Sequence, residues 1–273
     1  MENQRSLNST NRTLRRCAAL GLVLALSSLP AAADANHPVL HVDPRYQSCF
    51  FDLHPELTQD QFKEFTGEIG AILRPRQLGD ASTLGKGRFE IGLTLAHTGI
   101  DDSKGAWNNT MSHPTSDHYL GDAIVLPMIS ARMGVSDRVD IGISGGLNPD
   151  SNWGVATAEA KIALMRQGPN RPVSIAIRPT LASLIGPDEV WAGNASVDLS
   201  VSRKLGPFSP YIGGASNASL GVERSNEVDL EDAVETSSVV YGGVIYAVRH
   251  FSFAAEAEHG KLTTFSFRVS GRF

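Results

Sequence analysis

Cysteine is nearly absent from this sequence: only Cys17 and Cys49 occur. Cys17 opens an apolar run close to the N-terminus, so Cys49 stands alone in everything that follows. A lone cysteine makes no internal disulfide. Nothing beside Cys49 resembles the base or cation that activates a thiol, so it reads as inert. Long apolar runs are also lacking. Past the first 35 residues no uninterrupted stretch has the length of a spanning helix, about 20 residues, which excludes a helical membrane protein. Basic blocks are missing as well. The net charge is −5, and without a cationic stretch past the N-terminus nucleic-acid binding has no electrostatic support.

What is present begins with an export signal. Arg12, Arg15 and Arg16 form a basic cluster, Cys17 to Leu29 an apolar run, and Ala31-Ala32-Ala33-Asp34-Ala35 a small-residue exit. This order of charge, short apolar run and small residues reads as a secretory signal peptide over residues 1–35, cleaved after Ala35 or, in the alternative, after Ala33. An uncleaved anchor is the competing reading. Cys17 opens the apolar run instead of closing it, which argues against a lipoprotein cleavage site.

From Gly87 onward the chain alternates. Phe89, Ile91, Leu93 and Leu95 interleave with Glu90, Gly92 and Thr94; Val139, Ile141 and Ile143 with Asp140 and Gly142. Trp191, Ala195, Val197, Leu199 and Val201 interleave with Asn194, Ser196, Asp198 and Ser200. Period two with one apolar and one polar face is the pattern of a strand between two different environments. The same pattern marks 158–164, 173–177, 212–220, 251–258 and 265–273, and less cleanly 123–133 and 236–248. Turn signals divide these runs: Ser136-Asp137-Arg138, Asn148-Pro149-Asp150, Gly168-Pro169-Asn170, Gly186-Pro187-Asp188 and Gly206-Pro207. About ten strands of about ten residues each are expected, the length of a tilted strand crossing a bilayer.

Alternation alone is shared by soluble sandwiches and membrane barrels. Three features favour the barrel. The polar face carries charges of both signs in similar number: Glu90, Arg132, Asp140, Glu159, Lys161, Arg178, Asp198, Glu256, Glu258 and Arg268. These can pair across a narrow lumen. Short turns alternate with long loops at 99–120 and 224–235, which fall on one side of a zigzag chain. Last, the chain ends on an aromatic, Phe273, on the same face as Phe265, Phe267 and Val269.

That ending resembles the C-terminal signal of Gram-negative outer-membrane β-barrels, a terminal aromatic preceded by alternating apolar residues. The region 172–273 also resembles a family of uncharacterised proteobacterial outer-membrane barrels, through Val173 to Leu184, Ser200-Val201-Ser202-Arg203-Lys204 and Pro210-Tyr211-Ile212-Gly213-Gly214. The resemblance implies an all-β transmembrane antiparallel up-and-down barrel in the outer membrane, over residues 87–273. It implies as partners outer-membrane lipid, the barrel-assembly machinery that reads Phe265, Phe267, Val269 and Phe273, and periplasmic chaperones. It implies no activity.

The segment 36–86 precedes the alternation. Thr58 and Gln61 fit a capping box, and Phe62, Phe65, Ile69, Ile72 and Leu73 lie near helical spacing. The expectation is a periplasmic arm with a short amphipathic helix, on the periplasmic side or partly inside the barrel. Two extra strands, making twelve, are the alternative, since Gly67, Ile69, Ala71 and Leu73 also alternate.

Aromatics are few, 7% of residues. Trp107, Trp153 and Trp191 fall near expected extracellular ends, and Phe89, Phe208, Phe251 and Phe273 near periplasmic ends, as two interfacial girdles would require.

No constellation supports chemistry. Asp101, Asp102, His113, Asp117 and His118 share one loop, with His97 just before it. A carboxylate and a histidine can activate water, and omptin proteases, ten-stranded barrels, use such pairs. The spacing here does not reproduce that family's pattern, and no second loop supplies a facing pair. Alternation separates His259 from Glu256 and Glu258. Gly142-Ile143-Ser144-Gly145 lacks the nucleophile-elbow spacing. The expectation is a protein that is not an enzyme, without catalytic residues, cofactor or metal. It is an outer-membrane barrel with a structural or surface role, or a narrow passage for small polar solutes. An outer-membrane enzyme or adhesin working through its loops is the first alternative, and a soluble periplasmic β-sheet ligand-binding protein the second.

Overall fold

A computed structural model describes residues 50–112, 121–148, 151 and 153–273. Ten antiparallel strands close into a barrel: β2 (Phe89–Gly99), β4 (Ala123–Gly134), β5 (Val139–Leu147), β6 (Gly154–Met165), β7 (Ser174–Ile185), β8 (Val190–Ser202), β9 (Phe208–Glu223), β10 (Ala233–Val248), β11 (Phe251–His259) and β12 (Thr263–Arg272). Each pairs with its sequence neighbours, and β12 pairs back onto β2, with Val269 opposite Leu93 and Gly271 opposite Ile91. The barrel is therefore up-and-down and ten-stranded, and the twelve-strand alternative does not hold. Two further strands, β1 (Phe50–Phe51) and β3 (Met111–Ser112), pair only with each other, outside the barrel. No helix among the described residues is long and apolar enough to cross a membrane.

The period-two pattern sets the facing. On β2 the exposed residues are Phe89, Ile91, Leu93 and Leu95, and the buried ones Glu90, Thr94 and Thr98. The outer wall is apolar on every strand, with Ile129, Ile143, Leu164, Leu199, Ile212, Val240 and Phe265 exposed. A closed sheet leaves no edge unpaired, so every strand backbone is satisfied within an apolar surround. The mouth that holds Phe273 beside Phe89 is called the terminal mouth, and the other the distal mouth. Turns at the terminal mouth are short. At Leu205-Gly206-Pro207 the chain reverses through Gly206 at φ +64°, a left-handed conformation that glycine takes without a Cβ penalty.

The helix α1 (Gln59–Leu73) starts at Thr58, whose hydroxyl accepts from Gln61 N–H while the Gln61 side chain accepts from Thr58 N–H. Arg74 caps its end and Pro75 follows. This capping box was legible from residue spacing, and of the two places expected for the helix, the periplasmic side or partly inside the barrel, the structure shows the second. Helix α1 lies inside the barrel at the distal mouth, and residues 75–87 run through the lumen to the terminal mouth, where β2 begins. The contacts trace the path. Phe65 and Ile69 pack with Trp153, Val155, Leu184 and Val190 at the distal ends of β6, β7 and β8. Lower down, Ala81 N–H donates to Ser202 Oγ and Leu84 N–H to Asp140, at the terminal ends of β8 and β5. The physical reason is apolar demand. Helix α1 buries Phe62, Phe65, Ile69, Ile72 and Leu73, and the larger apolar surface turned inward is at the distal mouth.

The same packing corrects part of the aromatic assignment. Trp107 and Trp153 are fully buried against the helix, with Phe65 edge-on to Trp107 at 5.3 Å. They belong to the plug and not to a girdle. Trp191 lies on the outer face, and Phe89, Phe208, Phe251 and Phe273 are exposed around the terminal mouth.

Candidate functional site

The lumen is where this sequence concentrates its unusual residues. All ten charged residues read from the alternation project inward, and the structure gathers most of them around the plug. A chain of ion pairs links plug and wall. Arg74 Nη1 lies 2.9 Å from Asp198, and Arg74 Nη2 meets Glu258. Asp198 is 3.3 Å from Arg178, and Arg178 is 2.7 Å from Glu159. Glu159 is 2.5 Å from Arg132, and Arg132 is 3.7 Å from Glu90. Glu90 also receives Arg268 at 3.0 Å and Arg272 at 2.7 Å. Arg76 completes the set, 3.8 Å from Glu258.

Residues 75–84 have no regular structure, so their backbone groups need partners from the wall. The wall provides them with charged side chains. Arg178 donates to the carbonyls of Pro75 at 2.9 Å and Arg76 at 3.1 Å. Arg132 donates to Gln77 O at 3.3 Å, and Lys161 to Asp80 O at 3.0 Å. Carboxylates take the N–H groups: Glu256 accepts from Leu78 at 3.0 Å, and Asp140 from Leu84 at 3.0 Å. Glu256 is held in turn by Tyr211 OH at 2.9 Å. Leu78 has φ +37°, a costly conformation for a bulky residue. Its side chain packs with Tyr211, Tyr241, Ile245 and Ala254, and these contacts together with Glu256 fix it there.

Spacing alone did not reveal Arg74 and Arg76, yet a signal was present. The ten inward residues comprise six carboxylates and four cations. Even with Arg272, which meets Glu90, the wall carries more carboxylates than cations, and the two arginines flanking Pro75 bring positive charge to it. Gly70 is a second missed feature: a Cβ there would collide with the Ser219 side chain on β9, so the helix sits against the wall only because this position is bare.

The distal mouth is covered from outside. The loop after β2 folds α2 (Gly105–Asn108) over the helix. Trp107 Nε1 donates to Glu68 at 2.5 Å, and Lys104 pairs with Glu64 at 2.7 Å, a contact that raises the lysine pKa. Gln59 exchanges two hydrogen bonds with the backbone of Glu231 in the β9–β10 loop. Leu53 N–H donates to Glu189 at 2.9 Å; burial raises that carboxyl's pKa, with the Leu53 hydrogen bond opposing.

The loop histidines and aspartates do not form a described site. His97 points outward on β2 and Asp101 is exposed, while His113, Asp117 and His118 lie outside the described residues, as do Cys49 and the signal segment 1–35. Glu256 and Glu258 are buried inward, and His259 is exposed beside Thr263. Ser144 is spent on a 2.6 Å hydrogen bond to Thr157. Among the described residues, no three His, Cys, Asp or Glu side chains converge as metal ligands.

No family description and no curated protein matches this chain. Solved structures with a similar chain path include LpxR from Salmonella typhimurium, at 7% identity, covering 67% of this chain and 99% of that one with a TM-score of 0.38. The translocator domain of the autotransporter NalP from Neisseria meningitidis gives 10% identity, 80% and 98% coverage and 0.39. Neisserial surface protein A gives 13%, 68% and 98%, and 0.30.

Proposed function

We propose that this chain is a bacterial outer-membrane β-barrel with a structural or surface role, its lumen held shut by its own N-terminal segment. One observation carries the reading: residues 59–86 occupy the lumen from mouth to mouth, tied to the wall by buried ion pairs and by hydrogen bonds to their backbone. The apolar outer wall supports the membrane setting. The terminal aromatic strand supports the outer membrane, with the terminal mouth in the periplasm and the distal loops outside. A ten-stranded barrel has little interior beyond its own side chains, and a helix with a trailing segment takes up what there is.

A second reading rests on a separate observation. Opposite β7 and β8, inward residues of β4, β5 and β6 are only partly buried: Met128, Ser130, Arg132, Ser144 and Glu159. A small gap of mixed lining lies there between plug and wall, with Leu78 and Met128 beside Arg76, Thr94, Ser130 and Arg132. A movement of the plug would widen it into a passage for small polar solutes.

Planar-bilayer recording decides between them. Folded wild-type protein is expected to be silent, and the pair Arg74→Gln with Arg76→Gln to show openings, because the plug loses the cations that hold it. Steady conductance from folded wild type would overturn the closed reading in favour of the passage.

A further inference from the structure

The two mouths differ in charge. At the terminal mouth, exposed cations stand in every turn: Arg138 between β4 and β5, Arg166 and Arg171 between β6 and β7, Arg203 and Lys204 between β8 and β9, and Arg249 after β10. Asp137 is the exposed carboxylate among these turns. None of the six cations has a carboxylate within ion-pair distance among the described residues. At the distal mouth exposed carboxylates predominate, with Asp101, Asp122, Asp188, Glu227, Asp229 and Glu231 against Lys63, Lys104, Arg224 and Lys261.

Two of the basic turns are locked together. The Gln167 side chain accepts from Lys204 N–H at 2.7 Å and donates to Lys204 O at 3.3 Å. Gln167 N–H donates to Ser174 Oγ at 3.0 Å, and Ser174 meets Ser82 of the plug at 3.3 Å. The result is an open pocket lined by Ser82, Arg166, Gln167, Ser174, Lys204 and Gly206. It holds two cations, serine hydroxyls and no carboxylate. Just beside it Leu205 and Phe208 are 50% and 49% exposed.

We propose that this pocket binds the headgroup of an anionic phospholipid in the leaflet at the terminal mouth. Arg166 and Lys204 meet the phosphate, one hydroxyl of the Ser82–Ser174 pair donates to its oxygens, and the acyl chains lie along Leu205 and Phe208. Paired basic side chains above an apolar belt match a lipid, whose charge and tail are joined at that depth. A soluble anion would use only the upper half of the site. The unpaired cations of the neighbouring turns favour a headgroup with net negative charge over a zwitterion. The proposal does not depend on whether the lumen is open.

The test is native mass spectrometry of the folded full chain released from micelles that contain equal phosphatidylglycerol and phosphatidylethanolamine. Retention of phosphatidylglycerol several-fold above phosphatidylethanolamine is expected. Arg166→Gln with Lys204→Gln is expected to lower that preference at least threefold, while Lys63→Gln with Lys261→Gln, the same charge change at the distal mouth, leaves it intact. Inorganic phosphate at the lipid's own concentration is expected not to displace the adduct. Equal retention of the two lipids by wild type overturns the proposal, whether or not the variant folds. So does an unchanged preference in the folded Gln variant. Displacement by phosphate overturns the lipid in favour of a general anion site.

Discussion

A buried arginine is costly until its charge is met, and Arg74 is 1% exposed between Asp198 and Glu258. Removing it takes a cation from two buried carboxylates at once, leaving Asp198 to Arg178 at 3.3 Å and Glu258 to Arg76 at 3.8 Å. Arg74→Gln is therefore expected to cost about 3–5 kcal/mol, the range for breaking a buried pair. The measurement is the urea dependence of plug protection against protease in the refolded protein. Adding Asp198→Asn is expected to return part of that loss, because the double variant no longer leaves one of the carboxylates short of a cation. An additive double variant would sink the pairing. On the outer wall a single residue tests the facing. Leu93, between Ile129 and Val269, is 65% exposed near the middle of β2. Leu93→Arg is expected to cost about 2–4 kcal/mol, and Leu205→Arg in the terminal turn about 0–1, following depth in the bilayer. Equal costs in reversible unfolding from vesicles would contradict the assigned membrane span. At this scale much was legible. Alternation alone put the ten wall charges on the polar face, since period two leaves only two faces to choose from; Arg272, which also turns inward to Glu90, was not counted among them. Arg74 and Arg76 were not found, because a segment without regular structure has no period; only the charge imbalance of the wall points to them.

Elements were read well where both faces meet uniform surroundings, and poorly where they do not. β4 and β10 alternate less cleanly because the plug changes what inward means. Ile124 and Leu126 face the apolar helix, and Tyr241 and Ile245 face Leu78, so both faces of these strands are apolar. The blurred stretches of sequence therefore mark the wall that the plug touches. Helix α1 was legible through Thr58, Gln61 and its apolar stripe, but a stripe says only that some apolar partner exists. The partner is split among Trp153, Leu184, Val190 and Trp107, far apart in sequence. The β1–α1 link adds a pH-sensitive contact. Glu189 accepts from Leu53 N–H, and burial lifts its pKa above the unfolded value, helped by Asp52, Glu227 and Asp188. A carboxyl raised on folding favours the docked state while protonated and opposes it once ionised. Docking of Leu53 is thus expected to be tightest below the ordinary glutamate range and to weaken as pH rises through the raised pKa. Hydrogen exchange at the Leu53 amide measures this. Glu189→Gln should remove the pH dependence, and protection that grows with pH in wild type would reverse the sign.

For the whole molecule, the threading of residues 59–86 ties assembly to closure. The helix end meets the distal mouth and Leu84 the terminal one, so the chain spans the lumen before the first barrel strand begins. A plug held at both ends resists sliding in either direction, and the ion pairs between add register: moving the segment along the axis would part Arg74 from Asp198 and Leu78 N–H from Glu256 together. Ser82 and Ser174 offer a way to test whether that hold is permanent. Their hydroxyls lie 3.3 Å apart, so the double variant Ser82→Cys with Ser174→Cys brings two thiols together for a disulfide. If the plug is a fixed part of the fold, the oxidised variant should form in full, insert as wild type does, and record the same silent bilayers before and after reduction. If the plug moves, voltage should provoke openings in the reduced protein that vanish on oxidation. That second outcome would turn the gap beside β4, β5 and β6 into a gated passage and retire the structural reading, because a segment that leaves its ion pairs under modest force is built to do so.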